Sequence, residues 1–268
     1  MIRYFLHIAY KGTNYRGWQR QKKVVTIQEI FEAKLEQIFK YKIPCLGCGR
    51  TDAGVHAAQY FLHIDVKKEI DFDLKFRLNK ALPHDISVYD VVKMEQDYHA
   101  QFHAAERTYD YFIHTYKEPF LADQSSFYLV DNLDLNTMNQ AAALLLKYND
   151  FRAFCKTPDR HNNTICNIQE VKLFKNNKGD RIRFQITADK FLKSMIRIIV
   201  FRLLEIGTNK LSVDEFEYFL RTREASKFTN LAYPQGLYLS GIKYKFLDIS
   251  PKMNFCNQLS DTIWELVK

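Results

Sequence analysis

Ile2, Tyr4, Leu6, Ile8 and Tyr10 alternate with Arg3, Phe5, His7 and Ala9. That period-two pattern predicts a strand with one or both faces covered. Gly12-Thr13-Asn14 is turn chemistry. Thr26-Ile27-Gln28-Glu29 reads as a capping box. Behind it Ile27, Ile30, Phe31, Leu35, Ile38 and Phe39 recur at helical spacing. A second strand is expected over 59–66, a short helix over 74–80 and a strand over 86–94. The rhythm then repeats. Residues 107–116 alternate as a strand with Tyr109, Tyr111 and Ile113 on one face, and Leu135, Met138, Ala142, Leu145 and Leu146 mark a helix. Strands over 165–174 and 181–188 flank Asn176-Asn177-Lys178-Gly179-Asp180, a hairpin turn. A strongly apolar helix is expected over 190–206, and Ser212-Val213-Asp214-Glu215 caps a shorter one. A last strand spans 237–246, and Leu259, Ile263 and Leu266 suggest a terminal helix.

Strands and helices interleave with hairpins, which is the α+β class. The expectation is two similar lobes with mainly antiparallel sheets and flanking helices: residues 1–104, residues 105–247, and an extension over 248–268. No Ser- or Pro-rich linker separates the lobes, so a site is expected in a cleft between them.

Composition sharpens this in a few places. The chain has 268 residues, 47% hydrophobic and 26% charged, enough to bury a core without staples. It contains 9 glycines, where average usage of about 7% would give roughly 19. Gly47-Cys48-Gly49-Arg50-Thr51-Asp52 is the nearest approach to a phosphate-binding loop, and it has Asp52 where a dinucleotide fingerprint needs glycine. The formal charge is +8 with a pI near 9.1, which fits a polyanionic partner but does not require one. The 5 cysteines are odd in number and scattered, as in a reduced cytosolic chain. Cys45-x-x-Cys48 has no second pair at zinc spacing, so buried thiols are the better reading. Neither a signal peptide nor an 18-residue apolar run is visible, so no membrane partner is expected.

The densest stretch is Gly47-Cys48-Gly49-Arg50-Thr51-Asp52-Ala53-Gly54-Val55-His56-Ala57, which uses three of the nine glycines. Its bland reading is a turn with a surface ion pair between Arg50 and Asp52. The whole pattern changes the odds. GRTDAGVHA resembles the signature of the TruA-type tRNA pseudouridine synthases. Tyr10-Lys11-Gly12-Thr13-Asn14-Tyr15-Arg16-Gly17-Trp18-Gln19 resembles that family's N-terminal YDGxxYxGWQ segment, and Thr26-Ile27-Gln28 its TVQ helix start. Leu78-Asn79-Lys80-Ala81-Leu82-Pro83, Phe102-His103-Ala104 and Arg107-Thr108-Tyr109-Asp110-Tyr111 are similar to its LNxxLP, FHARFxA and RxYxY blocks. Phe191-Leu192-Lys193-Ser194-Met195-Ile196-Arg197 resembles FLxxMVR, and Ala232-Tyr233-Pro234-Gln235-Gly236-Leu237-Tyr238-Leu239 the closing AP-x-GLYL strand. The blocks keep the family order.

The resemblance implies an isomerase that breaks the bond from ribose C1′ to uracil N1, turns the base and joins C1′ to C5, with no cofactor and no metal. It implies roles for catalytic Asp52 and Arg197, the latter pairing with the aspartate. Tyr109 would stack on the target base and Arg50 hold the flipped nucleotide. Leu237 and Leu239 lie in the pocket strand, and which of them is the family's pocket leucine is open. The implied partners are the anticodon arm of tRNA, at tRNA positions 38, 39 and 40, and a second copy of the chain in a cytoplasmic homodimer. Gln101 stands where the family usually has arginine, which puts one RNA contact in doubt. Phe201 replaces a frequent glycine, a matter of local packing. Arg16, Arg20, Lys22 and Lys23 around Tyr15 and Trp18 also suit RNA. His99 and His103 could share a metal, but the glutamate of a zincin is missing between them. The serious rival is a non-catalytic RNA-binding protein on the same scaffold.

Overall fold

The computed structural model describes residues 1–130, 132–224, 230–252 and 263–267. The strands and helices in chain order are β1 (Ile2–Tyr10), α1 (Ile27–Phe39), β2 (Leu46–Gly47), β3 (His56–Val66), α2 (Leu74–Ala81), β4 (Ile86–Met94) and β5 (Ala104–His114). They continue as β6 (Ser126–Phe127), α3 (Leu135–Leu144), β7 (Ile168–Lys175), β8 (Arg181–Ala188), α4 (Met195–Gly207), α5 (Val213–Thr222), β9 (Leu237–Tyr244) and β10 (Glu265–Leu266). The class is α+β with mainly antiparallel sheets, as the hydrophobic pattern predicts. The chain divides into two compact units.

The first unit takes in Met1–Ala105 and the segment that opens at Tyr238. Its strands run in the order β9-β3-β1-β4, with β2 on β3. β1 pairs antiparallel with β3, from Ile2 opposite Val66 to Tyr10 opposite Ala57, and antiparallel with β4. β9 joins β3 in parallel, with His56 opposite Tyr238 and Ala57 opposite Leu239. Phe5, Leu6, Ile8, Tyr60, Leu62 and Ile64 are buried on these strands, each large side chain contributing on the order of 1.5–3 kcal/mol. α1 covers them with Ile27, Phe31 and Leu35, and α2 buries Leu74 and Leu78. The first capping box is only half made: Thr26 accepts the Glu29 N–H at 3.4 Å. Buried Gln59 ties β3 to the last part of the first unit. Its Oε1 accepts the Ile242 N–H and its Nε2 donates to the Ile249 carbonyl, both at 2.8 Å.

The second unit takes in Glu106–Leu237 and the described residues near the C-terminus. Its strand order is β10-β7-β8-β5, with β6 parallel on β5. β5 and β8 pair from Arg107 opposite Ala188 to His114 opposite Arg181. The hairpin between β7 and β8 closes through Asn176 N–H to the Arg181 carbonyl at 3.0 Å. Ser212 and Glu215 complete a reciprocal capping box on α5. Among the described residues, no helix is long and apolar enough to cross a membrane.

Three sequence expectations are corrected. The apolar helix starts at Met195 rather than near residue 190, because Ser194 is left-handed (φ 60°) and ends any helical run before it. Residues 190–194 therefore form an irregular approach to α4. The strand expected from residue 165 starts at Ile168, and Ile165 makes only an isolated bridge to Asp150. Of the terminal helix expected through Leu259, Ile263 and Leu266, the described part is extended at Leu266. Leu259 lies outside the described residues, and Leu266 sits in β10 opposite Phe174. The open edge of β7 supplies partners, including the Leu173 carbonyl for the Val267 N–H at 2.9 Å, whereas a short helix must first meet its nucleation cost.

Candidate active site

Asp52 sits half-buried in the turn between β2 and β3. Residues 10–18 hold the backbone of that turn from one side. The Trp18 N–H donates to the Thr51 carbonyl at 3.3 Å, and the Gly54 N–H donates to the Tyr15 carbonyl at 3.2 Å. The Tyr10 hydroxyl meets Thr51 Oγ1 at 2.9 Å, and the Gly12 N–H donates to His56 Nδ1 at 2.9 Å. Within the turn, the Val55 N–H closes on the Asp52 carbonyl at 3.2 Å. Trp18 is buried against Tyr60, ring centroids 4.3 Å apart, and the Tyr60 hydroxyl donates to the Gly49 carbonyl at 2.6 Å. Tyr15 is anchored in turn by its hydroxyl donating to Asp85 at 2.6 Å.

Glycine is required at two of these positions. Gly17 has φ 88° and lies so close to the turn that a Cβ would strike the Thr51 carbonyl oxygen. Gly54 has φ 77°. Both conformations disfavour a side chain. The sequence marked residues 10–19 as a turn, a family-like block and part of a basic-aromatic cluster; its structural work is to clamp the aspartate turn. Tyr10, Thr51 and His56 are the positioning residues that sequence reading missed. The signal was present in the two tyrosines, one tryptophan and two glycines packed into nine positions.

Arg50 is exposed on the same turn, and its Nε donates to Gln19 Oε1 at 3.2 Å. The turn leads into β3, where His56 stacks on Tyr238 at 4.5 Å. Tyr238 is flanked in β9 by Leu237 and Leu239, and both leucines are buried. Arg50, Asp52 and Leu239 belong to the first unit, and Tyr109, Arg197 and Leu237 to the second.

In the second unit, Tyr109 lies in β5, half-buried, with its ring edge-to-face against Phe191 at 5.2 Å. The neighbouring Asp110 faces the other side of the sheet. It accepts from buried Arg183 Nε at 2.6 Å and from Gln185 Nε2 at 3.0 Å. Arg197 is in the first turn of α4 and is tied at both ends to Ala232: its Nε donates to the Ala232 carbonyl at 2.7 Å, and its own carbonyl accepts the Ala232 N–H at 3.0 Å. The field of Arg197 reaches the buried Tyr111 phenol. Burial pushes that phenol well up, and the nearby positive charge opposes the rise. Tyr111 donates to the Tyr233 carbonyl at 2.8 Å, and Tyr233 stacks on Tyr128 at 5.1 Å. The segment 232–236, which leads into β9, is thus fastened to both α4 and β5.

The other candidate groups have structural partners. His103 Nδ1 accepts the His99 N–H at 3.0 Å, and His99 Nδ1 accepts the Gln101 N–H at 3.1 Å. Cys45, Cys48, Cys155 and Cys166 are buried free thiols. Burial pushes Cys166 up to about 12 and Cys45 well above the usual thiol range, so neither supplies a thiolate nucleophile near neutrality.

The sequence profile described as tRNA pseudouridine synthase matches residues 7–103 and 141–245. The chain belongs to the tRNA pseudouridine synthase family. Arg50, Asp52, Arg197, Leu237 and Leu239 fall inside the matched segments, and Tyr109 falls between them. The tRNA pseudouridine synthase A of Bacteroides fragilis is 40% identical over 245 residues, covering 90% of this chain and 96% of that protein. The protein of the same name from Porphyromonas gingivalis is 36% identical over 247 residues, covering 91% and 98%. That from Pseudothermotoga lettingae is 33% identical over 246 residues, covering 91% and 100%.

Proposed function

We propose that this family member isomerises uridine to pseudouridine in tRNA, with Asp52 as the carboxylate that acts at the ribose. The observation that carries this reading is the Asp52 turn, held at residues 49, 51, 54 and 56 by the segment before it and by β3 in a chain matched along most of its length to tRNA pseudouridine synthases. The reaction breaks C1′–N1, rotates the uracil and forms C1′–C5; the C5 proton is then lost and N1 regains one. Atoms and electrons balance without an oxidant, a reductant or a leaving group. What the site must supply is one ionised carboxylate at the sugar, as nucleophile or as base.

In this reading Arg197 pairs with Asp52 and keeps it ionised. The uridine leaves its stack at a cost of a few kcal/mol, and stacking on Tyr109 returns roughly 1–3 kcal/mol of that. Leu237 and Leu239 give the detached uracil apolar walls, and Arg50 holds the flipped nucleotide. The substrate uridines are those of the anticodon arm, at tRNA positions 38, 39 and 40. The working form is a homodimer in the cytoplasm; the buried free thiols suit that reducing compartment.

The test incubates unmodified tRNA with the wild-type protein and with Asp52→Ala and maps pseudouridine along the chain. Modification by the wild type alone is expected. Equal modification by both removes Asp52 from the chemistry, and none by the wild type on any tRNA leaves an RNA-binding module.

A further inference from the structure

Within the second unit, Arg160, His161, Asn162 and Asn163 on one side and Lys190, Phe191 and Leu192 on the other flank an open surface cavity of about 380 Å³. No step of the proposed chemistry uses it. Its location is informative, because the Phe191 ring that lines it also packs edge-on against Tyr109 at 5.2 Å. One ring, Phe191, therefore links the cavity to the tyrosine assigned to the target base.

Among the described residues, the lining carries two cations, a histidine and two amides, and no acidic side chain. The acids that adjoin it in sequence have partners of their own. Asp159 pairs with Arg152 at 2.5 Å. The Asp189 carboxylate accepts the Asn167 N–H at 2.8 Å, Asn167 Nδ2 at 3.2 Å and the Lys190 N–H at 2.7 Å. The side chains lining the cavity themselves carry two positive charges and no negative one. Its two walls are also tied together before any ligand arrives. Lys190 Nζ donates to Asn163 Oδ1 at 2.7 Å, and the Lys156 N–H donates to the Lys193 carbonyl at 3.2 Å. The left-handed Ser194 keeps residues 190–193 out of α4, so residues 190–192 line the cavity rather than a helical stack. An ammonium has three donors, which leaves Lys190 two for a ligand, and a guanidinium matches the paired oxygens of a phosphodiester.

We propose that this cavity binds a backbone phosphate of the tRNA next to the uridine stacked on Tyr109, with Arg160 and Lys190 as its principal contacts. The subsite rests on the assignment of Tyr109 to the target base. It gives the substrate's backbone an additional binding contact in the second unit, made equally before and during the reaction.

The experiment compares full-length wild type, Arg160→Gln, Lys190→Gln and the double variant, with Lys178→Gln in the exposed hairpin turn as a charge-matched control. Affinity for unmodified tRNA is measured across a KCl series, alongside kcat, KM and thermal midpoint. Each cavity variant is expected to raise Kd and KM several-fold with kcat at saturating tRNA and thermal midpoint preserved. The slope of log affinity against log salt should shrink by about one for each cation that no longer meets phosphate. Arg160→Lys and Lys190→Arg should restore the slope. Cavity variants that match Lys178→Gln in Kd and slope overturn the subsite. So does saturable binding of inorganic phosphate alone that Arg160→Gln abolishes while tRNA affinity is untouched, which assigns the cavity to a free anion. A wild type that binds tRNA but makes no pseudouridine defeats the proposed function; the affinity and slope measurements still decide the subsite.

Discussion

His63 makes the first unit sensitive to acid in a way that can be worked through quantitatively. The ring is 1% exposed, in β3 opposite Phe5, on which it stacks at 5.7 Å. Its Nδ1 accepts the Ala100 N–H at 3.2 Å, which places the single proton on Nε2, and Nε2 is buried without a hydrogen-bond partner among the described residues. A second proton would create a cation in a desolvated site. Burial is the largest cause of the lowered pKa, followed by the charges of Arg3 and His99, with Asp65 opposing; together they bring His63 down to about 4. The unfolded chain binds that proton near pH 6.5, so between pH 6.5 and 4 the unfolded state holds more protons than the folded one and stability must fall with pH. The shift amounts to about 2 kcal/mol lost by pH 5 and about 3 kcal/mol by pH 4. His7, fully buried and lowered mainly by burial against the pull of Asp90, adds in the same direction. Urea unfolding should be followed at pH 7.5, 6, 5 and 4.5 by the fluorescence of Trp18, in a Trp264→Phe background so that the buried indole of the first unit is the reporter. His63→Gln should flatten the dependence by close to one proton's worth, about 1.4 kcal/mol per pH unit at its steepest. A wild type whose stability is level from pH 7.5 to 5, or a His63→Gln profile parallel to it, would refute the argument.

Other perturbations separate the two units. Asp110→Ala leaves the buried Arg183 guanidinium without its carboxylate and should cost about 3–5 kcal/mol; Asp110→Ala with Arg183→Met should recover most of the lowered thermal midpoint. Gly17→Ala forces a methyl into the Thr51 carbonyl at positive φ, so kcat should fall sharply along with a stability loss of about 1–3 kcal/mol. Gly54→Val strains the turn on the other side of Asp52 and should damage activity more than thermal midpoint; a fully active variant would count against the role given to the turn. Tyr109→Phe keeps a stacking face and should retain most activity, whereas Tyr109→Ala should raise KM and lose the roughly 1–3 kcal/mol of stacking.

Much of the fold was legible because burial imposes a period. β1, β4 and β8 are read straight from alternation, and the Ser212–Glu215 box from its spacing. The glycine-dense turn around Asp52 was legible for a related reason: rare glycines concentrate where a backbone must pass close to another, and Gly17 and Gly54 do. The misses have local causes. Phe191 and Leu192 continue the apolar pattern of α4 but precede the left-handed Ser194, a backbone choice that hydrophobicity does not encode. β10 depends on the open edge of β7, a partner some ninety residues away in sequence. The clamp on the Asp52 turn uses main-chain groups of residues 12, 15, 18, 49, 51 and 54, and these look the same in every sequence.

Gln59 carries a consequence for synthesis of the chain. Its amide is satisfied by Ile242 and Ile249, the first of these 183 residues further on. Closing a loop of that length costs about 2.6 kcal/mol more than closing ten residues, and until it closes the Gln59 amide is left to water. The β3 edge that follows the aspartate turn therefore waits, as translation proceeds, for nearly the whole polypeptide to emerge. A nascent or truncated chain that stops before β9 has the residues of the turn but lacks the strand that pairs with β3 just beyond it.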